Sequence, residues 1–301
     1  MDPKRIVSGF VMVFALAACA AVRPSPSTLE PVWPDLRRLG LVAAVASGGV
    51  VYVVSPDSLR GEIRVASGAL IGHCARSGNL CVFDTVDDGL IGVDLNGRVI
   101  WSFAYFHAME LVVAPSGQSI ATRGLNTITG QVGLYTISIS THSIHLVSTT
   151  GREPAWSADE GQLAFTEADS VVVEELATQR RSIVATGADR PSLRSRDNEV
   201  TYRHVKSDTF MQQMEDVPAR RYIPAKDIYT PLRWSPDGNY LLFARKSRRL
   251  FAPLSCLEQN EIVIRRFADG ADAVIGTTCK GAPINYDWVD NASFLALAKS
   301  R

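Results

Sequence analysis

Neither sign of charge is in excess in this sequence. Thirty-one Lys and Arg stand against 31 Asp and Glu, so the formal charge is zero. A protein built to coat nucleic acid needs a clear basic surplus, and that class is excluded. No acidic tail or polybasic membrane patch is present either. The apolar stretch near the start, Ile6 to Ala18, falls short of the roughly 20 residues that cross a bilayer as a helix. Almost nothing has the spacing of a long amphipathic helix. The sequence also lacks a G-x-S-x-G elbow, a G-x-G-x-x-G turn, a P-loop and an H-E-x-x-H pair, and its cysteines include no C-x-x-C. What is present is the composition of a folded protein, 46% hydrophobic and 21% charged over 301 residues. That length allows one large domain or two small ones, and large all-β domains often run past about 200 residues as one unit.

The first 22 residues read MDPKRIVSGFVMVFALAACAAV. A basic start, a short apolar core and small residues at its end describe a secretory signal peptide. The end is more specific, because Leu16-Ala17-Ala18-Cys19 resembles the lipobox of bacterial lipoproteins. That resemblance implies cleavage before Cys19, lipidation of Cys19, and, with Ala20 following, sorting to the outer membrane. More than one acyl chain makes such an anchor firm. Residues from Ala20 to Pro34 are rich in Pro and Ser and read as a tether. The expected division is a leader at 1–18, a lipidated Cys and tether at 19–36, and a folded domain at 37–301.

The body of the chain is a repeat. Trp234 to Phe243 reads WSPDGNYLLF and Trp156 to Phe165 reads WSADEGQLAF. Weaker copies begin at Cys74, Val113, Leu193 and Trp288. Each is a bulky residue, a polar turn and then an alternating apolar strand, which is a hairpin. The spacings of 39, 43, 37, 41 and 54 residues are blade-sized. A second set of hairpins alternates with the first, near Val50, Leu90, Leu134, Val171, Phe210 and Glu261. Leu90 to Phe103 carries an Asn96-Gly97 turn. The count predicts a six-bladed β-propeller of four-stranded blades, all-β, with the N-terminal hairpin pairing with the C-terminal one to close the ring.

Four cysteines lie in the domain, and an even number in an exported protein suggests two disulfides, against the alternative of four buried thiols. Cys74 and Cys81 flank the turn Arg76-Ser77-Gly78-Asn79. Counting inward, Ala75 faces Leu80, so Cys74 faces Cys81. Cys256 and Cys279 lie either side of a hairpin centred near Asp269 and are expected to pair as well.

WSPDGNYLLF resembles the WSPDG-x-x-L-x-F motif of TolB-like propeller repeats, which also occurs in relatives of prolyl oligopeptidase. Copies span residues 74 to 297. TolB carries an additional N-terminal α/β domain, where this chain has a tether. The prolyl-oligopeptidase relatives add a hydrolase domain, and its nucleophile elbow is missing here. The resemblance therefore implies the propeller and not the TolB function.

Candidate chemistry is sparse. His73, His107, His142, His145 and His204 are scattered and read as surface or structural. Asp84 to Gly89 looks superficially like a calcium loop but lacks the D-x-D-x-D-G spacing and the terminal Glu, so a solvated turn is expected. Arg245 to Arg249 reads as a solvated basic run beyond a strand. Trp156, Trp234 and Trp288 sit at equivalent repeat positions, which argues for packing between blades. No cofactor, metal or catalytic residue is assigned. Two functions stay open. One is an envelope lipoprotein, monomeric, whose propeller binds another protein or a cell-wall polymer on the periplasmic side. The other is a lactonase- or lyase-like enzyme with a site in the central channel. Carboxylates, Asn and His converging on the channel mouth would favour the enzyme.

Overall fold

The structure, a computed structural model, describes residues 41–47, 50–54, 62–64, 69–94, 96–195, 199–213, 220–224, 227–228, 230–247, 259–279 and 285–290. The leader, Cys19, the tether and Cys256 lie outside the described residues, so neither lipidation nor the Cys256–Cys279 bridge is seen. Among the described residues no helix is long and apolar enough to cross a membrane.

The first three strands are β1 (Leu41–Ser47), β2 (Val50–Val54) and β3 (Glu62–Arg64). Blade I follows with β4 (Ala69–Cys74), β5 (Cys81–Thr85), β6 (Gly89–Val93) and β7 (Val99–Phe103). Blade II holds β8 (Phe106–Val113), β9 (Ser119–Asn126), β10 (Gln131–Ser138) and β11 (Ile144–Ser148). Blade III holds β12 (Arg152–Trp156), β13 (Gln162–Glu167), β14 (Ser170–Glu175) and β15 (Arg180–Thr186). Blade IV holds β16 (Ala188–Leu193), β17 (Val200–His204), β18 (Thr209–Gln213) and β19 (Arg220–Pro224). Blade V holds β20 (Arg233–Trp234), β21 (Tyr240–Lys246), β22 (Gln259–Arg266) and β23 (Asp272–Cys279), and β24 (Asn285–Asp290) is last. The protein is an all-β propeller of four-stranded blades. Five sheets are continuous antiparallel meanders, and a sixth four-stranded sheet has the order β24-β1-β2-β3.

That composite sheet corrects one expectation. The hairpin predicted from Trp288 onward was to supply two strands to it, and the N-terminal hairpin two. Instead β24 pairs with β1, from Leu41↔Asp290 to Ala46↔Asn285, so the split is one strand and three. Leu41 to Ser47, an apolar stretch with no clean alternation, is a strand in its own right and occupies the place beside β24.

The repeated turn explains itself chemically. At Trp234 the Ser235 N–H donates to Tyr240 O, and Gly238 N–H donates to Ser235 O. The Ser235 hydroxyl accepts from Tyr240 N–H at 2.9 Å and donates to Asp237. The fifth motif residue must be left-handed: Gly78, Gly117 and Gly238 have φ of 68°, 80° and 70°. In the WSADE copy Glu160 takes that seat at φ 61°, a conformation that glycine adopts with far less strain. Apolar residues after each turn fill the space between blades. Phe106, Leu111 and Ile120 pack with Leu80, Leu90 and Trp101 between blades I and II. Leu232, Trp234 and Phe243 pack with Phe210 between IV and V.

Two sequence expectations about charge also change. Asp84 is buried inside β5, with only Val86 to Asp88 in the exposed turn. Thr85 closes that turn by accepting the Asp88 N–H and donating to Gly89 O. Arg245 is not a solvated residue. It lies in β21 and pairs with Glu261 at 3.1 Å across the sheet, and it also reaches Asp272.

Candidate functional site in the central channel

The innermost strand of each sheet leads into the repeated turn, so the residue one before each repeat start points the same way in every blade. These residues are His73, Val112, Ala155, Ser192, Arg233 and Asp287. Five of them, with Arg76 and Trp156, line a cavity at the mouth formed by the repeated turns; its empty space, open mouth included, is about 360 Å³. Two residues further back lies a second layer, which holds Glu110, Glu153, Arg190 and Asn285.

The deeper layer is a relay from blade to blade. The Glu110 carboxylate accepts the Glu153 N–H. Glu153 Oε2 accepts the Arg190 N–H at 3.0 Å and the Thr166 hydroxyl at 2.9 Å. The Arg190 guanidinium donates to Ile228 O at 2.9 Å. The geometry depends on irregularities in β12 and β16, where Glu153 and Arg190 are left-handed at φ 56° and 53°. Such residues persist where the surroundings fix them, and here each aims its N–H at the preceding blade. Asn285 Nδ2 reaches across to Leu111 O at 2.6 Å, from the composite sheet to blade II. Burial holds the Glu110 carboxyl above the usual carboxylate range, only partly offset by the Glu153 N–H.

The mouth layer differs. His73 Nδ1 accepts the Val113 N–H at 3.2 Å. A neutral imidazole then carries its proton on Nε2, which faces Asp287 Oδ2 at 3.4 Å. Burial pushes the His73 pKa down, against the pull of Asp287. Burial would raise Asp287, but His73, Arg76 and Arg233 together hold its carboxyl below the usual range. Arg76 Nη1 donates to Ser195 Oγ at 3.1 Å, from blade I to blade IV on the far side of the mouth. The disulfide Cys74–Cys81, at the directly opposed pair expected from sequence, ties β4 to β5 beside this strap.

The repeated tryptophans join blades. Trp156 Nε1 donates to Val112 O and Trp288 Nε1 to Arg233 O, each the carbonyl one residue before the equivalent position in the neighbouring blade. The composite sheet is held on both flanks: by the Trp288 bond and Tyr286 toward blade V, and by His73 with Asp287 toward blade I. Tyr286 accepts Ala244 N–H at 3.0 Å and donates to Pro231 O at 3.1 Å. Burial pushes its phenol up to about 12.

The sequence named no channel residue as a site. It placed His73 among structural histidines, and its hydrogen bond to Val113 agrees. His142 and His145 are exposed, as expected, with His142 stacked on Trp101. His107 faces Asp84 at 3.6 Å and His204 caps its own turn through Ser207. Carboxylates, Asn and His do converge on the channel, although among the described residues no three His, Cys, Asp or Glu are grouped to hold a metal. Counting back one and three residues from each repeat start would have found both layers.

A TolB crystal structure from Acinetobacter baumannii superposes with a TM-score of 0.61 at 14% identity, covering 83% of this chain and 66% of that one. The fold is that of the TolB-like β-propellers. A TolB-like chain from Agrobacterium tumefaciens superposes at 0.57 with 11% identity, covering 82% of this chain and 98% of its own. A chain of a nidogen/laminin complex does so at 0.58 with 8% identity, covering 84% and 99%. This TolB-like propeller thus spans just under two thirds of the Acinetobacter chain and nearly all of the other two. No protein-family model and no curated protein sequence matches the chain.

Proposed function

We propose that the chain is a binding propeller of the bacterial cell envelope, held to the outer membrane by lipid at Cys19 and facing the periplasm, with a protein or cell-wall polymer as partner. Its ring has six blades, and the composite sheet closes it. The contacts of Tyr286, Trp288 and Asp287 on both flanks of that sheet support the closure. The observation that carries the binding reading is an apolar surface on the face opposite the cavity. Val86, Tyr105 and Ile128 lie on connections at that face in blades I and II and are 57%, 56% and 67% exposed. Tyr105 O accepts the Thr127 N–H, which brings the last two connections together. Exposed apolar groups clustered in this way mark interaction sites. The nidogen/laminin chain shows the same architecture within a protein complex.

Photo-crosslinking residues placed at Tyr105 and Ile128 in living cells should capture one partner that the same residue at Gln179, in the outer β14–β15 turn of blade III, does not. Equal capture from both places would end this reading. Cys19→Ser should abolish incorporation of labelled palmitate and release the protein from membranes; unchanged fractionation would remove the anchor from it.

The enzyme reading keeps one observation in its favour, the polar convergence in the channel. Its carboxylates and Asn285 are engaged in bonds between blades, which is a structural use. Turnover of a lactone or uronide that is lost in Asp287→Asn would reverse the assignment.

A further inference from the structure

Arg233 stands apart from every other charged group of the channel. It is only 9% exposed. Among the described residues its guanidinium makes no hydrogen bond and no ion pair. It borders the cavity beside Arg76, whose Nε is buried and has no hydrogen-bond partner among the described residues. Asp287 is an opposing charge near it, shared with His73 and Arg76, but no hydrogen bond fixes the guanidinium, and polar groups in so enclosed a place are otherwise almost always hydrogen-bonded.

The charge of the site can be counted. Arg76 and Arg233 contribute two positive charges and Asp287 one negative. His73 is neutral while its Nδ1 accepts the Val113 N–H. One positive charge is left over, which matches a monoanion; a phosphate dianion would overshoot and face the Asp287 carboxylate. A guanidinium presents a planar fork that fits a carboxylate's two oxygens. Val112, Ala155 and Trp156 also line the cavity.

We propose that the cavity binds the carboxylate of a monoanionic ligand, with Arg233 as its main donor and Arg76 beside it as the second positive charge, while Val112, Ala155 and Trp156 receive an apolar substituent. The carboxylate belongs either to a free small acid or to the C-terminus of a polypeptide. The site lies on the face away from Tyr105 and Ile128 and stands independently of the partner proposed there.

The test uses the purified full chain, calorimetry and the fluorescence of Trp156 and Trp234, which border the cavity. The probes are butyrate, butyramide, N-acetyl-Ala-Val with a free C-terminus, the same dipeptide amide, and inorganic phosphate. At least one of the two acids should bind about tenfold or more tightly than its neutral amide and than phosphate. Tighter butyrate identifies the small acid as the source, and a tighter dipeptide acid the polypeptide terminus. Arg233→Gln should weaken acid binding at least about tenfold with unchanged near-UV circular dichroism, and Arg76→Gln should weaken it less. Should Arg233→Gln fail to fold, Arg233→Lys, which keeps the charge and loses the fork, is expected to lie between wild type and no binding. Acids and amides binding alike, phosphate binding as well as the acids, no acid binding at its solubility limit, or a folded Arg233→Gln that binds normally would each overturn the proposal.

Discussion

Two layers of one channel, two residues apart along the same strands, use polar side chains in opposite ways. In the deeper layer, Glu110, Glu153, Arg190 and Asn285 are engaged by groups of other blades. In the mouth layer, Arg233 is buried and makes no hydrogen bond or ion pair among the described residues, and the buried Arg76 Nε has no hydrogen-bond partner there. Both layers bury charge, which is costly in itself. The deeper layer offsets that cost by holding the ring together. In the mouth layer His73, Asp287 and Arg76 also reach across blades, but Arg233 joins none of these bonds, and that asymmetry separates a structural channel from a binding mouth.

The sharpest way to break the comparison is Glu153→Ala. The substitution strips the acceptor from the Arg190 N–H and the Thr166 hydroxyl and leaves the Arg190 guanidinium, 3.8 Å away, without its carboxylate. Removing one partner of a buried pair should lower stability by about 3 kcal/mol, read as a drop in the urea midpoint. A loss below about 0.5 kcal/mol, the size of a surface substitution, would mean the relay holds nothing.

A second test concerns His73 and pH. Burial depresses its native pKa below that of the unfolded chain. As pH falls below about 6.5, the unfolded chain takes up a proton that the native site refuses, so stability falls with pH. Asp287 titrates below the usual carboxylate range and acts only at more acidic pH. Between pH 6.5 and 5 this one group contributes a slope of at most about 1.4 kcal/mol per pH unit. His73→Gln should flatten the measured slope there; an unchanged slope would show that the native imidazole protonates freely.

The deeper layer should also differ from the mouth in sign. Arg233→Met removes a buried charge that no hydrogen bond or ion pair holds among the described residues, while keeping an apolar stem. It should raise the unfolding free energy by about 1 kcal/mol, the trade seen when binding groups are replaced by packing groups, while abolishing acid binding. A clear loss of stability would show that Arg233 has a structural partner after all.

How much of this was legible beforehand depended on distance along the chain. The repeated hairpin and the Cys74–Cys81 pairing are local and follow from turn chemistry and period two. The equivalence of Trp156, Trp234 and Trp288 followed from spacing. The strand at Leu41–Ser47 did not, because an apolar run without alternation has no distinctive period. Asp84 and Arg245 misled because charge in a short segment suggests solvent, whereas His107 of the next blade faces Asp84 and Glu261 on the adjacent strand faces Arg245. The cross-channel bonds were out of reach: Arg76 meets Ser195 and Asn285 meets Leu111 over separations of 119 and 174 residues. Such pairs depend on which blades face each other across the ring, and a single repeat does not encode that.

The smallest effect tests whether the repeat tryptophans act through their indole N–H or only through bulk. Trp156 borders the cavity, is partly exposed, and donates to Val112 O at 3.2 Å. Trp156→Phe keeps an aromatic ring against the blade but removes the donor. The carbonyl it leaves lies beside an open mouth, where water can take over the bond, so the net loss should be about 0.5 kcal/mol. Trp288 donates to the same kind of carbonyl, Arg233 O, but is fully buried. Water cannot replace its bond, so Trp288→Phe should lose more, about 1–2 kcal/mol. Equal losses at the two positions, measured in the same denaturant series, would mean that ring packing and not the hydrogen bond is what the repeat preserves there, and that the mouth is no wetter than the seam beside the composite sheet.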